Sequence, residues 1–235
     1  MKDFHPYSVF PLGDSALTIN YGNTIDPGIN AEVIARYRQL ETDPLPAMIE
    51  AVPAYSSITI YYDPLQAKKN IPNGTAFEWM KEELEKRLIV PVSQSREEER
   101  RIRVPVCYDP AFAPDLQRIA GEKNISIEEL IGIHCSTEYK VYMLGFLPGF
   151  PYMGQVDDKI ITARKPKPEN IKAGSVGIAG KQTGIYPLDS PGGWQILGRT
   201  PLKLFDPLAE DPVFFKPGDR VQFYSISVSE FNRNA

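Results

Sequence analysis

Nine consecutive polar residues, Ser-Gln-Ser-Arg-Glu-Glu-Glu-Arg-Arg at positions 93–101, interrupt a chain whose apolar residues are otherwise well distributed. A run of this kind has no apolar stripe to bury, so it cannot form part of a core. It predicts a linker over 93–101 between a first domain, 1–92, and a second, 102–235. A solvated helix end is the alternative, and it moves the boundary only slightly. Hydrophobic residues make up 42% of the 235, enough for each part to bury a core of its own.

The two parts have different patterns. In the first, strand-like segments at 9–12 and 16–21 are joined by Gly13 and Asp14. Pro27 opens a helical stretch through Arg38, with Ile29, Val33, Ile34 and Tyr37 at helical spacing and Asp26 placed to cap its free amides. Strands follow at 48–52 and 57–62, then a helix over 75–88 whose stripe is Phe77, Met80, Leu84 and Leu88. This order predicts a small α/β sandwich with helices on one face of a sheet.

The second part is strand and loop. A strand at 102–107 precedes short helices at 115–121 and 126–133, the latter opening on a Ser126/Glu129 capping-box pattern. Strands are then expected at 139–144, 175–179, 194–197, 202–205 and 220–225. Frequent Gly and Pro turns between short strands predict a β-barrel, and the fold class is therefore α+β in two domains.

Composition excludes several functions. Lys and Arg total 26 against 30 Asp and Glu, a formal charge of -4, without the concentrated basic surface that nucleic acid requires. The most apolar window, 141–154, is short and broken by Gly145, Pro148, Gly149 and Pro151, so no membrane span is expected. The amino terminus lacks the apolar stretch of a signal peptide, and a cytoplasmic protein is expected. Cys107 and Cys135 do not make a disulfide framework and are expected as small core residues.

Familiar catalytic signatures are missing. There is no Gly-x-Ser-x-Gly elbow, and with only His5 and His134 a His-rich metal site is not available. The glycine-rich stretch 174–184 has the wrong spacing for a phosphate loop, and Gln182 follows Lys181 where a hydroxyl would be needed to reach Mg²⁺. Its glycines, with Gly177, Gly180 and Lys181 at the centre, either let backbone amides approach an anion or turn barrel corners. Nearby, Gln182, Thr183, Tyr186, Trp194 and Arg199 combine amide-holding, stacking and carboxylate-gripping side chains in a short span, the mixture a small-molecule pocket needs. His134 is either a general acid or base or a satisfied structural histidine. The breaker-rich run 145–152 sets Phe146, Phe150 and Tyr152 on a constrained loop, as a pocket wall, a docking surface or core packing.

Three motifs carry a resemblance. Gly-Phe-Leu-Pro-Gly-Phe-Pro-Tyr at 145–152, Ala-Gly-Ser-Val-Gly-Ile-Ala-Gly-Lys-Gln-Thr-Gly-Ile-Tyr-Pro at 173–187 and Ser-Pro-Gly-Gly-Trp-Gln-Ile-Leu-Gly-Arg-Thr-Pro at 190–201 resemble the signature of the allophanate hydrolase subunit 1 family. Pro-Leu-Gly-Asp-Ser-Ala-Leu at 11–17 and Val-Pro-Ala-Tyr-Ser-Ser at 52–57 match as well, so the resemblance covers nearly the whole chain. One departure is Lys172, where the family often has proline. The family includes the sporulation kinase inhibitor KipI and the B subunit of bacterial 5-oxoprolinase.

The resemblance implies a cyclophilin-like barrel as the second domain. It implies a protein that works only with partners, an allophanate hydrolase subunit 2-like protein (the C subunit of 5-oxoprolinase) and the A subunit of the same enzyme. ATP, with Mg²⁺, is then a co-substrate of the complex that opens 5-oxo-L-proline to L-glutamate. Two alternatives are a sensor histidine kinase inhibitor and a carboxyltransferase-type component that works on urea or allophanate. On this footing His134 and Arg199 are the expected catalytic residues, with Gln182, Thr183, Tyr186, Trp194 and Phe146 lining the substrate pocket. Gly177, Gly180 and Lys181 are the expected anion or nucleotide contacts.

Overall fold

A computed structural model describes residues 6–71, 73–89 and 100–234. These residues fall into two compact units, one ending at residue 89 and one starting at Arg100. Of the linker expected at 93–101, only Arg100 and Arg101 lie within the described residues, and Arg101 already opens a strand.

The first unit is built on strands β1 (Ser8–Pro11), β2 (Ala16–Asn20), β3 (Met48–Pro53) and β4 (Ser57–Tyr62), an antiparallel sheet in the order β1-β2-β4-β3. Leu17 pairs with Ile60 and Ile19 with Ile58, so strand alternation gathers the four on one buried face. Helices α1 (Pro27–Thr42) and α3 (Ala76–Leu88) supply Val33, Leu40, Met80 and Leu84 to the same core. Asp26 caps α1 as expected, accepting from the N–H groups of Gly28 and Ile29. A short helix not foreseen from sequence, α2 (Pro64–Lys69), begins on Asp63, which caps it in the same way. The complete capping box lies at Thr75/Glu78 of α3. Two positions of α1 break the amphipathic pattern: Asn30 is fully buried and Arg36 is only 2% exposed.

In the second unit β5 (Arg101–Cys107), α4 (Leu116–Lys123), α5 (Ile127–Ser136), β6 (Glu138–Leu144) and β7 (Pro151–Gly154) come first. A single 3-10 turn at Asp158–Ile160 and the short β8 (Glu169–Ile171) follow. The chain then runs through β9 (Ser175–Ala179), β10 (Gln182–Ile185), β11 (Ser190–Gly192), β12 (Gln195–Arg199) and β13 (Arg220–Ile226), and ends on α6 (Val228–Asn234). Seven strands close a barrel in the order β10-β7-β6-β13-β5-β12-β9, and β8 pairs with β11 outside it. Only the β5/β13 pairing in the barrel is parallel. Arg100 anchors it with a two-pronged grip on the buried Asp219, Nε to Oδ1 at 2.9 Å and Nη2 to Oδ2 at 2.6 Å.

Two local expectations change. Residues 202–205 do not form a strand: Leu202 donates its N–H to Thr200 Oγ1, and only Phe205 makes an isolated bridge, to Val213. The segment 145–152 does end in a strand, because Tyr152 and Pro151 pair with Met143 and Leu144 of β6. No helix among the described residues is long and apolar enough to cross a membrane.

Candidate functional site

The glycine-rich stretch is a β-hairpin. Strands β9 and β10 pair so that Gly184 faces Gly177, and Gly180 and Lys181 form a two-residue turn between Ala179 and Gln182. Gly180 adopts φ +59°, a left-handed conformation that glycine takes at little cost. Its N–H is already given to the carbonyl of Thr162 at 2.7 Å, and Lys181 Nζ lies 3.4 Å from Asp158. Gly177 is paired within the sheet on both sides. Gly177 and Gly180 thus serve the sheet and its turn, which leaves the exposed Lys181 side chain as the part of the expected anion contact that faces solvent.

Strand alternation then separates side chains that lie next to each other in sequence. Thr183 and Ile185 point into the barrel, whereas Gly184 and Tyr186 lie on its outer face. Inside, Thr183 Oγ1 donates to the Gly177 carbonyl at 3.1 Å and lies 3.1 Å from His134 Nε2. Since that hydroxyl's proton is committed, it accepts from Nε2–H, and Nδ1 accepts from the Tyr108 hydroxyl at 2.8 Å. The Cys135 sulfur, 3.4 Å from the same hydroxyl, completes the chain of bonds. His134 also stacks on Phe223 with ring centroids 4.6 Å apart. Complete burial pushes His134 down to about 3. A fully enclosed, neutral imidazole with both nitrogens occupied does not exchange protons with a substrate, and the expected catalytic role of His134 gives way to a structural one.

Outside, Phe150 is the hub of an aromatic cluster. It meets Tyr186 and Trp194 edge-on, with centroids at 5.1 and 5.3 Å, and Tyr152 at 4.8 Å. The cluster lies over the paired glycines. A Cβ on Gly184 would sit 3.0 Å from both Phe150 Cζ and Trp194 Cζ3. Tyr186 and Trp194 are buried, and the Tyr186 ring lies edge-on to Phe150 and against Gly192, where a Cβ would collide with its hydroxyl. Tyr186 thus packs rather than holds a ligand amide. Phe146, 61% exposed with φ +66°, is the member that reaches solvent. Gln182 is half-buried at the start of β10.

Arg199 lies elsewhere on the outer face, in a cleft of about 160 Å³. Ile171 and Ile196 belong both to the aromatic cluster and to this cleft, so the two are contiguous. Phe112 also lines the cleft, tilted against Phe231 of α6 with centroids 4.4 Å apart. Arg199 is held by its Nε, which donates to the Ala173 carbonyl at 2.7 Å, and its guanidinium lies 5.8 Å from the Phe231 ring centre. Ser175 is buried in the floor, and its hydroxyl has no hydrogen-bond partner among the described residues.

Two further cations line the cleft, and both are paired. Lys165 Nζ binds Asp115 at 2.8 Å and Glu169 at 2.6 Å. Lys172 Nζ binds Asp189 at 2.8 Å, holding that carboxyl below its usual range with help from the Ala173 N–H. Of the residues expected to share one pocket, the fold brings only Arg199 here. Lys172, Ser175 and Phe112 are its neighbours instead. Ser175 and Lys172 are legible in the sequence only as flanks of Gly174, and no sequence signal marks Phe112. Among the described residues no group of three or more His, Cys, Asp or Glu is placed to hold a metal ion.

Comparison with known proteins agrees with this architecture. Residues 7–215 match the family model described as the carboxyltransferase domain, subdomain C and D. The protein named as the B subunit of 5-oxoprolinase in Bacillus subtilis (strain 168) is 44% identical over 230 residues, covering 96% of this chain and 95% of that one. The crystal structure of TTHA0988 superposes with a TM-score of 0.75 at 34% identity, over 90% of this chain and 40% of that longer one. The Kluyveromyces lactis urea amidolyase shares the fold, with a TM-score of 0.70 at 18% identity, over 99% of this chain and 16% of the other. With most of its length matched by the family model and nearly all of it by a relative of the same size, this chain belongs to the carboxyltransferase subdomain C and D family, together with the proteins named as 5-oxoprolinase B subunits.

Proposed function

We propose that the chain is the B-type subunit of an ATP-dependent 5-oxoprolinase. In this proposal it works only in complex with an allophanate hydrolase subunit 2-like protein (the C subunit) and the A subunit. The observation that carries this is the end-to-end match to the Bacillus subtilis protein of that name, 96% of one chain against 95% of the other. A shared domain inside a larger enzyme would not give coverage that is symmetric in this way. The structure adds support of a different kind. The second unit carries a small cleft around Arg199, while the other candidate residues His134, Thr183, Tyr186 and Trp194 are committed to packing. A chain so equipped contributes binding and assembly surface, and leaves phosphate chemistry to partners.

The reaction accounts for the need for partners. A lactam carbonyl is a poor electrophile, and transfer of the ATP γ-phosphoryl to its oxygen would activate it for attack by water. Such a transfer needs Mg²⁺ and cationic groups around the phosphates. ATP with Mg²⁺ is the co-substrate in this proposal, bound outside the Gly177–Lys181 turn, whose Gly180 amide is spent on Thr162.

A second reading has its own observation. The matched family is named for carboxyltransferase chemistry, and that favours a component that moves a carboxyl group onto an amide nitrogen. Co-expression with candidate partners separates the two. The oxoprolinase proposal expects a stable complex that lacks any biotin-bearing protein. A complex that forms only with a biotinylated carrier would instead support carboxyl transfer.

A further inference from the structure

We infer that the cleft around Arg199 is a binding site for a small molecule bearing a single carboxylate. The inference goes beyond the proposed subunit role and does not depend on it.

The charge pattern selects a monoanion. Three cations line the cleft; Lys165 is paired with Asp115 and Glu169, and Lys172 with Asp189, which also feels the charge of Arg199. Arg199 remains. Its Nε is spent on Ala173, and its two terminal nitrogens have no hydrogen-bond partner among the described residues. A guanidinium fixed at Nε presents those remaining donors in a plane, which suits the two oxygens of a carboxylate. A phosphate dianion would bring a second negative charge beside Glu169 and Asp189, a poorer match.

The walls select a short carbon skeleton. Phe112, Ile171 and Ile196 give apolar surface, while Ser175 and Asn170 bring polar groups to the same space. The Ser175 hydroxyl makes no hydrogen bond within the described residues and lines the cleft, where a ligand can meet it. The cleft, at about 160 Å³, is well below the roughly 300–1,000 Å³ of drug-sized sites. Phe231 from α6 backs both Phe112 and Arg199, so the terminal helix holds the carboxylate grip in place.

The test is titration of the full chain, followed by ¹H–¹⁵N NMR, with acetate, lactate and 5-oxo-L-proline, with their neutral primary amides, and with inorganic phosphate. The expected result is that at least one carboxylate shifts the Ser175 amide and the Arg199 Nε–H with saturation, while its amide binds about tenfold more weakly or not at all. Arg199→Met should lose the preference for the acid, and Arg199→Lys should keep part of it. Equal binding of acid and amide, no saturation by any of the three acids, or tighter binding of inorganic phosphate would each overturn the inference. The acid–amide comparison uses the unaltered protein, so a misfolded variant does not spare the idea. Binding of lactate or acetate without 5-oxo-L-proline would uphold the carboxylate site and count against the oxoprolinase proposal alone.

Discussion

Tyr108 and His134 meet inside the barrel through a 2.8 Å hydrogen bond from the Tyr108 hydroxyl to His134 Nδ1. That bond, with Thr183 on the other nitrogen, fixes the histidine as the neutral Nε2–H tautomer. Burial pushes its pKa down to about 3. As pH falls below about 6.5 the unfolded chain takes up a proton on this side chain and the folded chain does not. The contribution of His134 to stability is therefore complete above about pH 6.5 and is lost progressively as pH falls toward about 3. Denaturation midpoints measured between about pH 7 and 4 should fall more steeply for the wild-type protein than for His134→Gln, by up to one proton's linkage. Parallel slopes, or an imidazole that titrates near its ordinary value, would show His134 to be in contact with water.

Gly184 tests whether the glycine-rich stretch exists for packing. A Cβ there would lie 2.8 Å from the Pro151 carbonyl oxygen, in addition to its contacts with Phe150 and Trp194. Gly184→Ala should lower stability by about 1–3 kcal/mol through overpacking. Near-ultraviolet circular dichroism should change as the Trp194 environment shifts. A variant as stable as the parent would mean that the aromatic rings do not rest on the glycine pair.

Arg36 joins two helices of the first unit. Its Nη1 donates to Gln39 Oε1 and the Arg87 carbonyl, and its Nη2 donates to the Leu88 carbonyl at 3.0 Å. Those carbonyls lie in the last turn of α3, where helical donors run out, and the Arg87 carbonyl also accepts from the Ile89 N–H. Arg36→Met keeps most of the apolar stem but removes the guanidinium donors from both carbonyls, and should cost about 1–3 kcal/mol in chemical denaturation of the full chain. An unchanged midpoint would contradict the capping role.

Periodicity makes much of the fold legible without the structure. The residues of β4 and β9 fall at the expected positions, and the Val33 and Met80 stripes face the core. What escapes is of three kinds. α6 carries only Phe231 as a buried apolar residue, too little for a helical stripe. β7 holds Pro151 and Gly154, which argue against a strand locally but are tolerated in this barrel. For the site, proximity in sequence is a poor guide to proximity in space. Alternation along 182–186 separates Thr183 from Tyr186, sending His134's partner inward and the aromatics outward. The cleft around Arg199 depends on Phe112, Lys172 and Phe231, which come from segments far apart in the chain. No local pattern announces that meeting.

Glutamate release from 5-oxo-L-proline in the presence of ATP and Mg²⁺ is the most direct test of the proposed subunit role. It should be measured with this chain alone, with its candidate partners alone, and with all of them together. Turnover that appears only in the complete mixture, with ADP formed in step with glutamate, is the predicted result. Equal turnover without this chain, or none from a complex shown to be intact, would contradict it.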